Sequence, residues 1–544
     1  MAKQKMRVEG MTCSHCEQTV EKLLTQAGAR EAEADWRRGE VIFELDGEAA
    51  LLEDALAGSP YRPLESVPVE SPRATTKTRG DADYELVVIG AGSAAFAAAI
   101  RATNLGARVA IVERNTVGGT CVNVGCIPSK NLLAAAGTYH QAAHHPFAGI
   151  STSQRGVDMG ALIGKKDDVV GDLRERKYVD LADHYGFEII RGSASFTGPD
   201  TIDVDGREIR AGHFVISTGS APWVPPLPGL AETGYLTSTT AMELKELPES
   251  LIVVGGNYVG LEMGQLFRHL GVEVTIVSSG EGLAPREEPE ISRWITRVFQ
   301  DDGFEVVSSA RATAVEGGER KAVVVTVDGR ERRLEADEIL MATGRRPVLQ
   351  GLELAVAGVE VDGSGRLVLD DELRTTNPKV SAAGDVTGAP QFVYVAAAQG
   401  TLVADNAISN TGRKMDYHAL PRVIFTSPNI AAVGMTEAQA IDAGYECDCR
   451  VLELEHIPRP IVNLDTRGAF KIVADKTTGK VLGVHAVADN AGDVILAAVY
   501  AVKFGLTVQD LADTWAPYLT MSEGIKLTAQ TFTSDVSMLS CCAA

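Results

Sequence analysis

Residues 86–95 constrain this chain more tightly than any other stretch. Leu86-Val87-Val88-Ile89 is a continuous apolar run and leads straight into Gly90-Ala91-Gly92-Ser93-Ala94-Ala95. A buried strand that ends in G-x-G-x-x-A and turns into a helix is a dinucleotide-binding turn. Gly90 permits the tight turn, Gly92 lets a pyrophosphate approach the backbone, and Ala95 lets helix and strand pack closely. The helix N-terminus then presents free N–H groups to the phosphates. A second strand, Val109-Ala110-Ile111-Val112, ends at Glu113, an acid suited to ribose hydroxyls. The fingerprint alone is a weak signal. Strand, turn, helix, strand and acid in that order make a strong one.

The pattern recurs once. Leu251–Val254 leads into Gly255-Gly256-Asn257-Tyr258-Val259-Gly260, with Asn257 at the middle glycine position. Asn tolerates unusual backbone angles, so the turn is expected to survive. The next strand, Val274–Val277, ends at Ser278-Ser279 and lacks the acid. An acid there would bind a ribose 2′-hydroxyl and repel a 2′-phosphate, so its absence leans towards NADPH. Arg286 either assists that phosphate or is an ordinary surface arginine.

A chain of 544 residues suggests roughly three to five compact units. With 45% hydrophobic and 23% charged residues, a large core is available. The net charge of -22 repels phosphate backbones, which argues against a nucleic-acid partner. No apolar run of about 20 residues occurs, so stable membrane insertion is not expected. Met1–Val8 is polar and basic with no apolar segment behind it, so cytoplasmic residence is expected.

Residues 1–66 form a separate pattern. A strand at Met6–Val8, a helix at Glu17–Gln26, a hairpin of Ala34–Trp36 with Val41–Leu45, a helix through Leu51, Leu52, Ala55 and Leu56, and a strand at Arg62–Val67 give βαββαβ, a ferredoxin-like order. Residues 67–82, rich in Pro, Ser and Thr, read as a linker. From Tyr84 onwards the text is α/β, and residues 419–544 read as an α+β unit.

The eight cysteines fall into four close pairs, Cys13/Cys16, Cys121/Cys126, Cys447/Cys449 and Cys541/Cys542. Close pairs in a cytosolic chain point to metal or redox chemistry rather than to structural cross-links. Cys121 and Cys126 follow a dinucleotide unit directly and can close a small disulfide beside a flavin; the alternative is two buried thiols. Cys13 and Cys16 sit on a loop that opens a helix, whose N-terminus stabilises thiolates. C-x-x-C also suits a thioredoxin-like site, but residues 1–66 are too short for that fold, and His15 reads as a loop residue rather than a ligand. Cys541 and Cys542 are adjacent, which strains a disulfide but makes a soft-metal clamp on a tail; an accidental tail is the alternative. Cys447 and Cys449 share one strand face and suit either a half-buried strand or a metal site.

The run Gly118-Gly119-Thr120-Cys121-Val122-Asn123-Val124-Gly125-Cys126-Ile127-Pro128-Ser129-Lys130 resembles the G-G-T-C-x4-C-x-P-S-K motif of the pyridine nucleotide–disulfide oxidoreductase family. Thr218-Gly219, Thr343-Gly344-Arg345 before Pro347, and Ala382-Ala383-Gly384-Asp385 match further family motifs, so the resemblance spans residues 83–544. It implies an α/β fold with two Rossmann-like domains and a C-terminal α+β dimerisation domain. FAD would be bound by 83–235 and 351–418, and NADPH by 236–350 around Gly255 and Gly260. FAD contacts are implied for Gly90, Gly92, Ala95, Glu113, Gly119, Thr120, Lys130, Ala194, Thr218, Gly219, Asp385 and Val393. In the family, nicotinamide passes hydride to the flavin, which reduces the disulfide. Cys126 would be the charge-transfer thiolate and Cys121 the exchange thiol. Residues 1–66 resemble the heavy-metal-associated domain of metal chaperones, which implies metal at Cys13 and Cys16.

Disulfide reductases of the family carry a His–Glu pair near the C-terminus, supplied by the partner subunit. The matching stretch here, Trp515 to Glu523, has no histidine, and Tyr518 lies where the acid–base is expected. A phenol protonates a leaving thiolate near neutral pH far less well than imidazole does. The carrier-like domain, the C-x4-C flavoenzyme and the terminal cysteine pair together resemble the Hg(II)-reducing members of the family. That resemblance implies a homodimer. Cys541 and Cys542 of one subunit would take Hg(II) from small thiols and pass it to Cys121 and Cys126 of the other. It also implies active-site roles for Tyr178 and Tyr518, with packing the alternative for Tyr178. A low-molecular-weight disulfide or lipoamide reductase, and a metal-sequestering protein with a vestigial flavin part, are the competing readings.

Overall fold

The structure is a computed structural model and describes residues 2–9, 11, 14–35, 40–45, 56, 59, 61–68, 82–388 and 390–535. The chain divides into two compact units, Met1–Gly80 and Asp81–Ala544.

In the first unit the strands Ala2–Glu9, Arg30–Asp35, Glu40–Leu45 and Arg62–Pro68 form one antiparallel sheet. Ala2–Glu9 pairs with both Glu40–Leu45 and Arg62–Pro68, while Arg30–Asp35 and Arg62–Pro68 are the edges. This order suits the expected ferredoxin-like arrangement. Helix Ser14–Gln26 contributes Val20 and Leu24 to a core with Met6, Val8, Val41 and Phe43. The last strand runs to Pro68, within the stretch expected to be linker. Proline is tolerated there because the strand lies at the sheet edge. Apart from Leu56, which is helical and buried, the expected second helix lies outside the described residues.

The second unit opens with a parallel sheet in the order Glu188–Arg191, Val109–Glu113, Tyr84–Ile89, Arg207–Ile216. Val380–Ala382 adds to it in parallel, pairing with Phe214–Ile216 across more than 160 residues of intervening chain. The C-terminal ends of these strands therefore bring Gly90, Glu113, Thr218-Gly219 and Gly384-Asp385 to one sheet edge, where ligands of open α/β sheets bind. Helix Ser93–Asn104 lies against helix Val393–Ser409. A Cβ on Gly400 would fall 2.1 Å from Ala94 O, so glycine is required for this contact.

A second parallel sheet runs Glu305–Val307, Glu273–Val277, Ser250–Val254, Glu338–Met341. Its turn survives for a different reason from the one expected. Asn257 is extended, at φ -124° and ψ -171°, and its side-chain oxygen accepts from Tyr258 N–H. The unusual angle belongs to Gly255, at φ +134°, where a Cβ would meet Ala342 O at 2.2 Å.

The chain ends in a five-stranded antiparallel sheet, Pro421–Ile424, Asn429–Gly434, Val481–Ala488, Ala469–Asp475 and Cys447–Glu453, covered by helix Ala491–Phe504. It is tied to the second parallel sheet's domain by buried charge. Lys471 Nζ donates to Glu288 at 2.9 Å, Glu290 at 3.0 Å and Glu437 at 2.8 Å. Arg422 pairs with the buried Glu287. Among the described residues, no helix is long and apolar enough to cross a membrane.

Candidate active site

The dithiol segment is built on the first nucleotide turn. Gly118 N–H donates to Ala91 O at 2.8 Å, and a Cβ on Gly119 would lie 2.6 Å from Gly92 Cα. Gly119 therefore lets the short helix Gly119–Val124, with Thr120 and Cys121, press against the fingerprint. After Gly125 the chain enters helix Cys126–His144, so Cys126 occupies the first position of that helix.

Both cysteines are free thiols, which is the reduced form of the expected redox pair. The Cys121 thiol hydrogen-bonds to Cys126 and brings Cys126 down to about 7, against the opposing effect of burial; the Lys130 charge helps. Cys121 is pushed well up by the same contact and by burial. The contact therefore favours one shared proton across the pair, with the thiolate favoured at Cys126.

Lys130 lies one turn along from Cys126, on the same helix face. Its Nζ is 2.6 Å from Glu262 and 4.6 Å from the centre of the Phe425 ring. Glu262 also accepts Phe425 N–H at 3.0 Å. Sequence reasoning missed both Glu262 and Phe425. The one signal for Glu262 is a glutamate inside the apolar helix stretch Leu261 to Phe267, since a buried carboxylate needs a partner.

Tyr178 stands in a π-turn, Glu175–Val179, that continues helix Met159–Arg174. Such turns are frequent at functional sites. Its ring meets Phe96 edge-on at 4.8 Å, and its hydroxyl lies 3.2 Å from Ser93 Oγ. Burial raises its pKa; the Ser93 hydrogen bond opposes this, and charge on Cys121 and Cys126 adds to the rise. Tyr178 is thus packed on Phe96, and the charge of the two cysteines reaches its hydroxyl.

The first turn fits a dinucleotide. Gly92 supplies no side-chain cap to helix Ser93–Asn104, which leaves the first-turn N–H groups for a phosphate. A Cβ on Gly90 would meet Ser217 O at 2.4 Å, so this backbone admits no bulk, while Ala95 is fully buried against the strand. Glu113 accepts Ala91 N–H at 2.8 Å and Asn115 N–H at 2.7 Å, and its carboxylate has lone pairs left for a ribose hydroxyl. Ala194, half-buried, opens a strand two residues after Gly192, whose N–H donates to Glu113 O. Gly219, at φ +70°, faces open space, and Thr218 Oγ1 donates to Val348 O. Asp385 accepts from Ser220 Oγ at 2.9 Å. Arg345, from the Thr343-Gly344-Arg345 motif, donates to Ser220 Oγ at 2.8 Å and to Ser220 O at 2.6 Å. Val393, half-buried, begins helix Val393–Ser409. The second turn is equally tight, since a Cβ on Gly260 would lie 1.8 Å from Gly255 O. Ser278 is buried and donates to Gly282 O, whereas Ser279 and Arg286 are exposed beside it.

The remaining candidates are less fully placed. Tyr518 lies half-exposed on the antiparallel-sheet domain, near the fully exposed Trp515. Cys16 is half-buried on helix Ser14–Gln26. Cys13, Cys541 and Cys542 lie outside the described residues. Cys447 and Cys449 pack on Ala440, Val473 and Leu482 as a half-buried strand face, and burial pushes both thiols up, Cys449 to about 12.

Comparison with known proteins agrees along the whole length. Residues 84–400 match the family described as pyridine nucleotide-disulphide oxidoreductase, and 420–529 its dimerisation domain. Residues 5–61 match the heavy-metal-associated domain. A mercuric reductase of Bacillus cereus is 49% identical over 551 residues, spanning 100% of this chain and 87% of the relative. One from Lysinibacillus sphaericus is 47% identical over 546 residues, spanning 100% of each. Among solved structures, the HOCl-induced flavoprotein disulfide reductase RclA from Escherichia coli superposes with a TM-score of 0.74 at 32% identity, covering 82% of this chain and 99% of that one. The paired nucleotide turns, the dithiol between them and these matches establish that the chain belongs to the pyridine nucleotide-disulphide oxidoreductase family, on its mercuric reductase branch.

Proposed function

We infer that this protein reduces Hg(II) to Hg(0) with electrons from NADPH, and that Cys121 and Cys126 are where the metal is held. What carries the reading is the dithiol, Cys121 and Cys126 seated against the first nucleotide turn, in a chain 49% and 47% identical to two mercuric reductases along its whole length. Bound FAD supplies the two-electron connection between NADPH and this sulfur pair. Gly90, Gly92, Ala95, Glu113, Gly119, Thr120, Ala194, Thr218, Gly219, Asp385 and Val393 would hold it, with Lys130 at its reactive end. Gly255 and Gly260 would hold NADPH.

The chemistry of the chain's own residues follows from their protonation. Hg(II) arrives bound to small thiols. The Cys126 thiolate displaces one thiolate, and Cys121 displaces the second, giving up its proton to the leaving group. Two soft thiolates suit a linearly coordinated soft ion, and exchange from thiol to thiol never releases it to water. The bound ion takes two electrons and leaves as uncharged Hg(0). Tyr178, held protonated by burial, offers an O–H beside the sulfurs. Cys541 and Cys542 of the partner subunit, together with Tyr518, would deliver the ion, and Cys13 with Cys16 would collect it.

The dimerisation-domain match over 420–529 supports a homodimer. So do Leu496, Tyr500 and Phe504, an exposed apolar stripe at four-residue spacing on helix Ala491–Phe504. A cytoplasmic site of action suits both the NADPH supply and the need for reduced thiols. The domain division proposed is 1–66, 67–82, 83–235 with 351–418, 236–350, and 419–544.

The test uses purified holoprotein with NADPH and excess thiol. NADPH oxidation should begin only when Hg(II) is added. Cys541→Ala with Cys542→Ala should slow turnover on thiol-bound mercury. Rapid turnover of a low-molecular-weight disulfide, with none on Hg(II), would overturn the reading.

A further inference from the structure

We propose that Ser93 is a positioning residue for the metal-handling site: with Phe96 it holds the Tyr178 phenol beside Cys121 and Cys126, joining that tyrosine to the helix that opens the first nucleotide turn. The proposal rests on the reading of Tyr178 as a site residue in Hg(II) reduction.

Ser93 and Phe96 are three residues apart on helix Ser93–Asn104 and so share one face. From that face Ser93 Oγ reaches to 3.2 Å of the Tyr178 hydroxyl. Phe96, itself buried, meets the tyrosine ring at 4.8 Å with the planes 77° apart. Phe187 braces Phe96 from behind at 5.6 Å. Ring and hydroxyl of Tyr178 are thereby gripped separately: the aromatic edge sets where the ring sits, and the serine sets where the oxygen points.

The opposite side is tied to the cysteine loop. Arg174, the last residue of helix Met159–Arg174, donates to Asn123 Oδ1 at 3.1 Å. Asn123 lies between the two cysteines and donates to Val117 O at 2.9 Å and Gly119 O at 3.0 Å. The π-turn that begins at Glu175 inserts an extra residue, which rotates the downstream side chains by about 100° relative to an uninterrupted α-helix. Tyr178 is delivered by that rotation and then caught by Ser93 and Phe96.

The nucleotide turn itself needs no hydroxyl at position 93. Its demands are the small residues at 90, 92 and 95 and a free helix N-terminus, all of which an alanine at 93 would preserve. The hydroxyl of Ser93 is instead engaged with Tyr178.

Four full-length holoproteins test this: Ser93→Ala, Ser93→Thr, Tyr178→Phe, and the double variant Ser93→Ala with Tyr178→Phe. Each is compared with the parent for FAD content, turnover of thiol-bound Hg(II), and ultraviolet titration of the Tyr178 phenol, read by difference against Tyr178→Phe. Ser93→Ala should retain FAD and lose roughly three- to tenfold in turnover, the scale of one hydrogen bond. Tyr178→Phe should lose at least as much, and the double variant no more than Tyr178→Phe alone. Ser93→Thr should restore most of the loss. The Tyr178 titration should move up in Ser93→Ala, because a hydrogen bond that favours the phenolate is gone. The proposal is overturned if Ser93→Ala matches the parent, if the two losses multiply independently, if Tyr178→Phe has no effect, or if Ser93→Ala loses its FAD. Should the parent fail to turn over Hg(II) at all, the proposed function falls, while the titration still decides whether Ser93 sets the Tyr178 environment.

Discussion

At Cys126 hydrogen bonding and charge win against burial. The neighbouring Cys121 thiol and the Lys130 ammonium favour the thiolate, whereas the apolar surroundings and the Glu262 carboxylate oppose it, and the outcome is about 7 instead of the ordinary 9. The sign is set by what a falling pH does: below about 7 the sulfur takes up a proton, and above it the thiolate prevails. In NADPH-reduced holoprotein, thiolate-to-flavin absorbance should therefore grow as pH rises through about 7. Lys130→Met should move that midpoint upwards, because the cation stabilising the charged form is removed. An unmoved midpoint would show that the Cys121 contact acts alone. The cysteines themselves are legible from spacing. Glu262 and Phe425 are not, because each is separated from Lys130 by more than 130 residues.

Elements in this protein touch where side chains are missing. The helix pair Ser93–Asn104 and Val393–Ser409 is close enough that Gly400 has no room for a Cβ. Gly400→Val should force these helices apart, with a cost of about 1–3 kcal/mol or more and loss of bound FAD, read by denaturant unfolding and flavin content. Gly137, on helix Cys126–His144, is the control, since a Cβ there meets nothing within 4 Å. Gly137→Ala should add about 0.5–1 kcal/mol of stability through helix propensity. Strand–turn–helix units of this kind are readable in a sequence because their signals are local. The π-turn at Glu175–Val179 is not: no proline or glycine marks it, and the partners of Tyr178 and Arg174 lie on other elements. Asn257 shows the reverse case, in which the turn is legible but its cause is misread. The strain falls on Gly255, since only the approach of Ala342 O decides which residue must lack a Cβ.

Across the whole molecule, the dithiol helix, Glu262 and Phe425 come from three different sheets' domains, so the site exists only when those domains are docked. The buried Lys471, through Glu288 and Glu290, and Arg422, through Glu287, supply part of that docking. Residues 1–80, by contrast, form their own compact unit with their own core. A chain starting at Asp81 should keep FAD and reduce thiol-bound Hg(II) at close to the full-length rate; a large loss in kcat on purified protein would show that the first unit takes part in turnover. By itself, the sequence determined the α/β class, the two nucleotide turns, the four cysteine pairs and the absence of an acid–base histidine, because each is written in residues a few positions apart. Only the tertiary structure decided that Lys130 pairs with Glu262, that Glu262 in turn holds the Phe425 backbone, and that the Tyr178 hydroxyl meets Ser93. Those outcomes depend on which distant groups share a low-dielectric space, and proximity of that kind comes from how strands such as Tyr84–Ile89 and Val380–Ala382 are brought into one sheet.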